Sequence, residues 1–271
     1  MEFRDKHLLY NIKLPIVGSH SGCYYLLPRN TMESFRFCIN DLNMKFIEFD
    51  VRSTKDGELI LLHDAFLNIS TDGFGFNKLT NFNTIKNLDA GYKFTLNGKT
   101  YPFRNKGIKI PSLNDFFNEF GHRNDLIYFF DIKEYDIVDK VVKFVEDNQL
   151  SNRSILGGIS CIVNMKLKKY KNRKWLFSAD QSFMTKLVLS YIFGLLDYNT
   201  ICKQDIIGLE MKKASRWRIY RDMFKKFKLC GGKLIIYGES TNDKNQKNDI
   251  LNYNIDIILT DNPIEILPIY R

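Results

Sequence analysis

Along the 271-residue chain, short apolar runs alternate with longer segments in which apolar positions recur every three or four residues. The runs are Leu14–Ser19, Lys45–Arg52, Leu126–Lys133, Ile155–Ile159, Trp175–Ser178, Ile206–Met211, Lys233–Gly238 and Ile255–Thr260. Near-continuous apolar runs of this length predict strands buried on both faces. The periodic stretches Met32–Leu42, Leu113–Phe120, Tyr135–Asn148 and Tyr220–Leu229 predict helices between them. Eight strands in β-then-α order predict an α/β fold, a closed TIM (β/α)8 barrel. No Ser/Pro-rich linker and no fixed-period repeat interrupts the chain, so residues 1–271 are expected to form a single domain.

The alternation breaks once. Lys55-Asp-Gly57 follows the second run directly and leads into Glu58-Leu-Ile-Leu-Leu-His-Asp64. A tight turn there leaves no room for the roughly dozen residues that a parallel crossover needs. The Leu59–His63 strand is therefore expected to double back antiparallel on the second strand and to carry His63 toward the barrel mouth. Residues from about 53 to 110 then form a small inserted subdomain after that strand.

Charge and cysteines add limits. The formal net charge is +9, with basic clusters at Lys166–Lys174 and Lys212–Lys228. Such patches attract anionic lipid surfaces or nucleic acid, or they are simply solvated helix faces. No zinc-finger or RNP-type motif accompanies them, so no nucleic-acid partner is expected. No apolar stretch approaches the ~18 residues of a membrane span; the nearest, Leu187–Leu196, is interrupted by Ser190, Tyr191 and Gly194. The opening residues Met1-Glu-Phe-Arg-Asp-Lys6 lack the apolar core of a secretory signal. The expected location is cytoplasmic, with peripheral contact to an anionic membrane left open. The five cysteines show no paired spacing, which predicts free thiols and neither a disulfide framework nor a zinc site.

The second run, Phe46-Ile-Glu-Phe-Asp-Val51, carries the first chemical signal. Alternate residues of a strand share a face, so Glu48 and Asp50 point together while Ile47, Phe49 and Val51 point away. Two carboxylates inside a barrel are costly unless a cation pairs with them. The third run repeats the oddity with Asp131 and Lys133 on one face. Three carboxylates at neighbouring strand ends form an oxygen cage suited to a divalent ion such as Ca²⁺ or Mg²⁺. Lys133 beside them can hold a phosphate oxygen, and His20 and His63 can act as a proton donor and acceptor pair. Each feature alone has an ordinary structural explanation. Their joint placement at strand ends of one barrel points to phosphoester chemistry.

His20, Pro28-x-Asn-Thr31, Glu48-x-Asp50, Thr54-Lys-Asp-Gly57, His63-Asp64, Leu88-Asp-Ala-Gly91, Ile110-Pro-Ser-Leu113, Asp131-Ile-Lys133 and Leu259-Thr-Asp-x-Pro263 resemble the glycerophosphodiester phosphodiesterase family. The resemblance runs from about Ile16 to Pro263 in the family's order. It implies a TIM barrel with an insertion after the second strand. It also implies metal-dependent phosphodiester hydrolysis on the alcohol side, commonly through attack by a neighbouring substrate hydroxyl. By position, His20 and His63 match the general acid and base, Glu48, Asp50 and Asp131 the metal ligands, and Lys133 the phosphate-binding lysine.

Two departures stand out. The family usually has His-Arg-Gly and Pro-Glu-Asn-Thr, where this chain has His20-Ser21-Gly22 and Pro28-Arg29-Asn30-Thr31. A serine hydroxyl cannot replace a guanidinium that clamps a phosphate. Three outcomes are compatible with the exchange: Arg29 supplies the lost charge, the site works without an arginine as in sphingomyelinase D-like enzymes, or the protein binds phosphodiesters without cutting them. Both histidines and all three acids remain, which favours an active phosphoric diester hydrolase.

For substrate, Trp175-Leu-Phe-Ser178 followed by Leu187–Leu196 resembles the membrane-associated, lysophospholipase D branch, as does Asp131 in place of the commoner glutamate. An apolar stretch near the mouth would receive an acyl chain, although an amphipathic barrel helix explains it equally well. Tyr237, where relatives often have a tryptophan, is expected to wall the site. The expected substrates are thus a small glycerophosphodiester or a lysophospholipid.

Overall fold

The computed structural model describes residues 2–170, 172–179, 181–195, 197–210, 221–246 and 254–270. Among these described residues there are nine strands: β1 (Ile16–Ser19), β2 (Phe46–Ser53), β3 (Leu59–Leu61), β4 (Ile127–Ile132), β5 (Ser154–Gly157), β6 (Leu176–Phe177), β7 (Ile206–Glu210), β8 (Lys233–Tyr237) and β9 (Ile257–Thr260). All but β3 are parallel to their neighbours, in the order β6-β5-β4-β2-β1-β9-β8-β7. A parallel bridge between Ser178 and Ile206 brings the two ends together, so the sheet is a nearly closed barrel. Each expected run coincides with a strand, shortened by one or two residues at most ends; Met211, the expected end of the sixth run, lies outside the described residues.

The pleat sorts the side chains. Ile47, Phe49 and Val51 pack outward against the helices Met32–Arg36, Leu113–Phe120 and Val138–Asp147. Inward-facing Phe46, Ile127, Ile155, Leu176, Ile206, Ile235, Ile257 and Leu259 fill the lower barrel. Gly18 is required there, because a Cβ would lie 2.6 Å from the Phe46 ring and 2.7 Å from Leu259. Below this layer the N-terminal segment closes the barrel floor, which the hydrophobic pattern had not indicated. Leu9 is fully buried in the lower cluster, Arg4 Nε donates to Asp205 at 2.7 Å, and His7 Nε2 lies 3.1 Å from the Ser154 carbonyl. Burial drives the His7 imidazole down to a pKa of about 4.

β3 runs antiparallel to β2, with Ser53 opposite Leu59 and Val51 opposite Leu61. The turn between them works as the sequence implies. Gly57 takes φ 84° and donates to the Thr54 carbonyl, while Thr54 Oγ1 accepts from Glu58 N–H at 3.0 Å. The segment that follows has its own apolar cluster of Ile60, Leu62, Leu67, Ile85, Ala90, Ile108 and Ile110. Glu134, just after β4, ties it down by accepting from Arg52, Ser53 and Asn77.

Three expectations need correction. The predicted helix Met32–Leu42 is α-helical only to Arg36 and then widens into a π turn over Phe37–Asp41. Cys202 and Cys230 form a disulfide, whereas Cys23, Cys38 and Cys161 are free. Though 28 residues apart, both cysteines end barrel helices at the same layer, with Cα atoms 5.3 Å apart. Finally, the apolar stretch expected near the mouth lies on the helix Gln181–Ile192, which starts just past β6 and runs back down the barrel. Exposed Leu189 and Ile192 in its last turns, and exposed Phe193 and Leu195 just past its end, therefore come toward the floor end; Leu196 lies outside the described residues. The basic clusters are partly internal: Arg173 pairs with buried Asp205 and Lys228 with buried Asp256, while Lys171 and residues 211–220 are not described. Among the described residues, no helix is long and apolar enough to cross a membrane.

Candidate active site

The carboxyl ends of β1, β2, β4 and β9 converge on one constellation. Parallel register sets Asp50 directly opposite Asp131, and the two-residue period places Glu48 one step deeper on β2. One oxygen from each of Glu48, Asp50 and Asp131 lies within 4.8 Å of the others. Glu48 and Asp50 are almost fully buried. Lys133 Nζ sits 2.6 Å from Asp50 Oδ1 and 2.6 Å from Asp131 Oδ2.

The loop after β1 clamps this cage. Ser21 and Asn30 both adopt left-handed backbone conformations, φ 52° and 56°, and Asn30 N–H donates to the Ser21 carbonyl at 2.7 Å. The resulting tight loop aims both residues at the acids. Ser21 N–H donates to Glu48 Oε2 at 2.6 Å, and its hydroxyl donates to Asp50 Oδ2 at 2.8 Å. Asn30 grips Asp50 twice, donating from Nδ2 to Oδ2 at 2.6 Å and accepting the Asp50 N–H at 3.1 Å. Ser21 thus belongs to the frame of the carboxylate cage.

Each histidine is held by its own aspartate. His20 emerges beside β9, and its Nδ1 lies 2.9 Å from Asp261 Oδ1; Asn242 donates to the other Asp261 oxygen at 3.1 Å. His63 Nδ1 lies 3.0 Å from Asp64 Oδ1. With Nδ1 engaged on a carboxylate, Nε2 of each ring is left for proton exchange. Asp64 and Asp261 stand inside the motifs His63-Asp64 and Leu259-Thr-Asp-x-Pro263, which by themselves assign them no role. The two-residue inward period Ile257–Leu259, continued one step past β9 to Asp261, is the available signal.

Charge in the cage is unbalanced. Burial and the neighbouring Asp50 push Glu48 up to a pKa of about 8. Burial also opposes ionisation of Asp50, but Lys133 and His63, with hydrogen bonds from Lys133 and Asn30, hold it well below the carboxylate range. Burial would lower His20, yet the Asp261 bond and the charges of Glu48 and Asp50 raise it to about 9. Asp131 Oδ1 is buried with no hydrogen-bond partner. An orphaned carboxylate oxygen and a glutamate forced toward its neutral form are what an oxygen-lined site shows when a hard cation completes it. The donor set fits a divalent ion.

Tyr237 stands half-buried at the end of β8, over Gly208. Burial, with the charges of Glu210 and Asp131, raises its phenol. Arg29 goes elsewhere: Nη2 donates to Asp64 Oδ2 at 2.7 Å, and the guanidinium lies 5.2 Å from the centre of the Tyr24 ring.

A barrel with an acid cage, a lysine and two aspartate-held histidines at its carboxyl face has the layout of a phosphoester hydrolase. Comparison with known proteins agrees. Residues 20–265 match the glycerophosphoryl diester phosphodiesterase family, and the chain belongs to that family. A glycerophosphodiester phosphodiesterase of Caldanaerobacter subterraneus is 31% identical over 150 residues, covering 54% of this chain and 58% of that protein. The chain thus spans little more than half the length of this curated relative. The fold matches the crystal structure of glycerophosphodiester phosphodiesterase from Agrobacterium tumefaciens, with a TM-score of 0.72 at 20% identity over 93% of this chain and 99% of that one. It also matches an Oleispira antarctica phosphodiesterase in complex with the product sn-glycerol-3-phosphate, with a TM-score of 0.69 at 18% identity over 96% and 98% of the two chains.

Proposed function

We propose that this protein is a metal-dependent phosphodiesterase that hydrolyses glycerophosphodiesters to an alcohol and a glycerol phosphate. The observation that carries the reading is the pairing of two Asp-held histidines with the Glu48, Asp50 and Asp131 cage in one mouth. The product held by the Oleispira antarctica neighbour supports the substrate class. Glu48, Asp50 and Asp131 would hold Ca²⁺ or Mg²⁺, which when bound supplies charge to the phosphoryl oxygens and a completed shell for Asp131. Lys133, fixed between two acids, presents its ammonium to a phosphate oxygen as a point charge.

His20 is assigned the donor role, because the second oxygen of its partner Asp261 takes only the neutral Asn242 amide, whereas the second oxygen of Asp64 is engaged by the Arg29 guanidinium. It protonates the leaving alcohol, and His63 takes the proton from the attacking hydroxyl or water. Tyr237 walls the mouth. Replacing His20 or His63 by alanine should lower kcat on glycerophosphocholine by at least ~10²-fold. Unchanged turnover in either variant refutes the assignment. A protein that only binds headgroups would retain ligand binding and be indifferent to both changes.

A lysophospholipid is the second substrate, supported by an apolar rim. Phe66, three residues beyond His63, pairs with Phe76 at 4.1 Å, Phe74 between Gly73 and Gly75 is 88% exposed, and Tyr24 and Tyr25 are exposed on the β1 loop. Such a rim suits an acyl chain, with peripheral contact to an anionic membrane, in a cytoplasmic protein of lipid metabolism. Comparing choline release from lysophosphatidylcholine and glycerophosphocholine ranks the two.

A further inference from the structure

Residues 20–31 carry one arginine, Arg29, and the structure shows where its charge goes. Ser21 bonds the acid cage, while Arg29, on the same tight loop, reaches Asp64, the neighbour of His63. There it forms a relay. Arg29 Nη2 meets Asp64 Oδ2 at 2.7 Å, and the other oxygen of Asp64 meets His63 Nδ1 at 3.0 Å. The Asp64 side chain is only 16% exposed, and that of Arg29 27% exposed. Tyr24 packs at the guanidinium, and its ring in turn meets Phe94 of the insertion edge-on at 5.7 Å. Arg29 is therefore held by the β1 loop, the insertion and Asp64 together.

We infer that Arg29 is a positioning residue for His63, acting through Asp64, and not a ligand of the substrate phosphate. This rests on the proposed function, since it assigns His63 a proton to move. Two observations favour this over a phosphate clamp. Arg29 Nη2 is committed to the Asp64 carboxylate, and the guanidinium lies 5.2 Å from the centre of the Tyr24 ring, which holds it on that side. What Arg29 does provide is a second point of attachment for Asp64. A carboxylate bonded only to His63 could rotate and release Nδ1; one bonded at both oxygens holds the imidazole plane, and with it Nε2, in place.

The test is a double-mutant cycle on Arg29→Met, Asp64→Asn and the pair, with Arg29→Lys as the conservative variant. Turnover of glycerophosphocholine is followed with Mg²⁺ present, and thermal melting confirms that each variant is folded. Removal of an outer-shell partner costs about 10–100-fold, so Arg29→Met should lose kcat by roughly that factor. KM should stay within roughly twofold, the mark of an interaction that matters for the reaction step. Arg29→Lys should recover most of the loss, and the double variant should be no worse than Asp64→Asn alone. A raised KM with intact kcat, or losses that multiply in the double variant, overturns the inference. A second readout does not need activity: the imidazole Nδ1–H proton of His63, observed by NMR in 15N-histidine-labelled protein, should broaden or vanish in Arg29→Met. If the wild-type protein turns over nothing, the proposed function fails, and this resonance still decides the role of Arg29. Its persistence in Arg29→Met overturns the inference.

Discussion

Removing the carboxylate behind His20, by Asp261→Ala, probes the donor role most sharply. The imidazole is raised from 6.5 to about 9: burial acts against this, and the hydrogen bond that His20 Nδ1–H donates to Asp261 is the first of the opposing causes, ahead of the Glu48 charge. Each pKa unit corresponds to about 1.4 kcal/mol. The His20 side chain is 35% exposed, so solvent screens part of that energy, and about 1–2 kcal/mol is a fair content for the dyad. Loss of the bond should therefore cost roughly 10-fold in kcat/KM near neutral pH. The sign follows from the role. A donor must be protonated, so activity falls as pH rises through the His20 pKa. The alkaline limb should lie lower in Asp261→Ala than in the wild type, because the carboxylate bonded to Nδ1 that favours the imidazolium is gone. Stability carries the same signature: the raised pKa contributes below pH 6.5 and is lost as pH rises toward about 9. The assay is choline release from glycerophosphocholine across pH, for both proteins, at saturating divalent ion. An alkaline limb that does not move refutes the reasoning, because His20 would then not be the group whose proton is used.

Asn30→Ala should weaken divalent-ion affinity by about 10–100-fold, because two bonds orienting Asp50 are lost while the three acids remain; titration calorimetry of the metal measures this. His7 predicts an acid weakness at the barrel floor. Its folded pKa of about 4 lies below the unfolded value near 6.5, so its neutral form costs nothing above pH 6.5, and stability drains as pH falls toward 4. The drain is about 3 kcal/mol over that window, and urea unfolding at pH 7 and pH 4.5 should show it shrink in His7→Gln.

Much of the site was legible because a strand's two-residue period leaves little freedom. Once Glu48, Asp50, Asp131 and Lys133 were read on barrel strands, their convergence followed from the pleat and from the Asp50–Asp131 register. The antiparallel return of β3 was legible from the Lys55-Asp-Gly57 turn in the same way. What could not be read depends on loops and long-range contacts. Arg29 has a sequence position beside the mouth, but its direction is set by the left-handed residues Ser21 and Asn30 and by Asp64, 35 positions away. The Cys202–Cys230 bond joins two helix ends with no local spacing signal. The N-terminal floor escaped because Leu8 and Leu9 belong to a single helical turn, too short to show a period. The apolar run Leu187–Leu196 is compatible with a barrel helix, but composition alone does not say which end of such a helix faces the mouth.

The central claim is that the acid cage and the two histidines cut a glycerophosphodiester only when a divalent ion is bound. The most direct test is choline release from glycerophosphocholine by the purified protein with Mg²⁺, with Ca²⁺, and with either followed by excess chelator. The account predicts release with at least one ion and its abolition by the chelator. Release that persists undiminished in chelator, or tight metal binding with no release from glycerophosphocholine, glycerophosphoethanolamine or lysophosphatidylcholine, would contradict it.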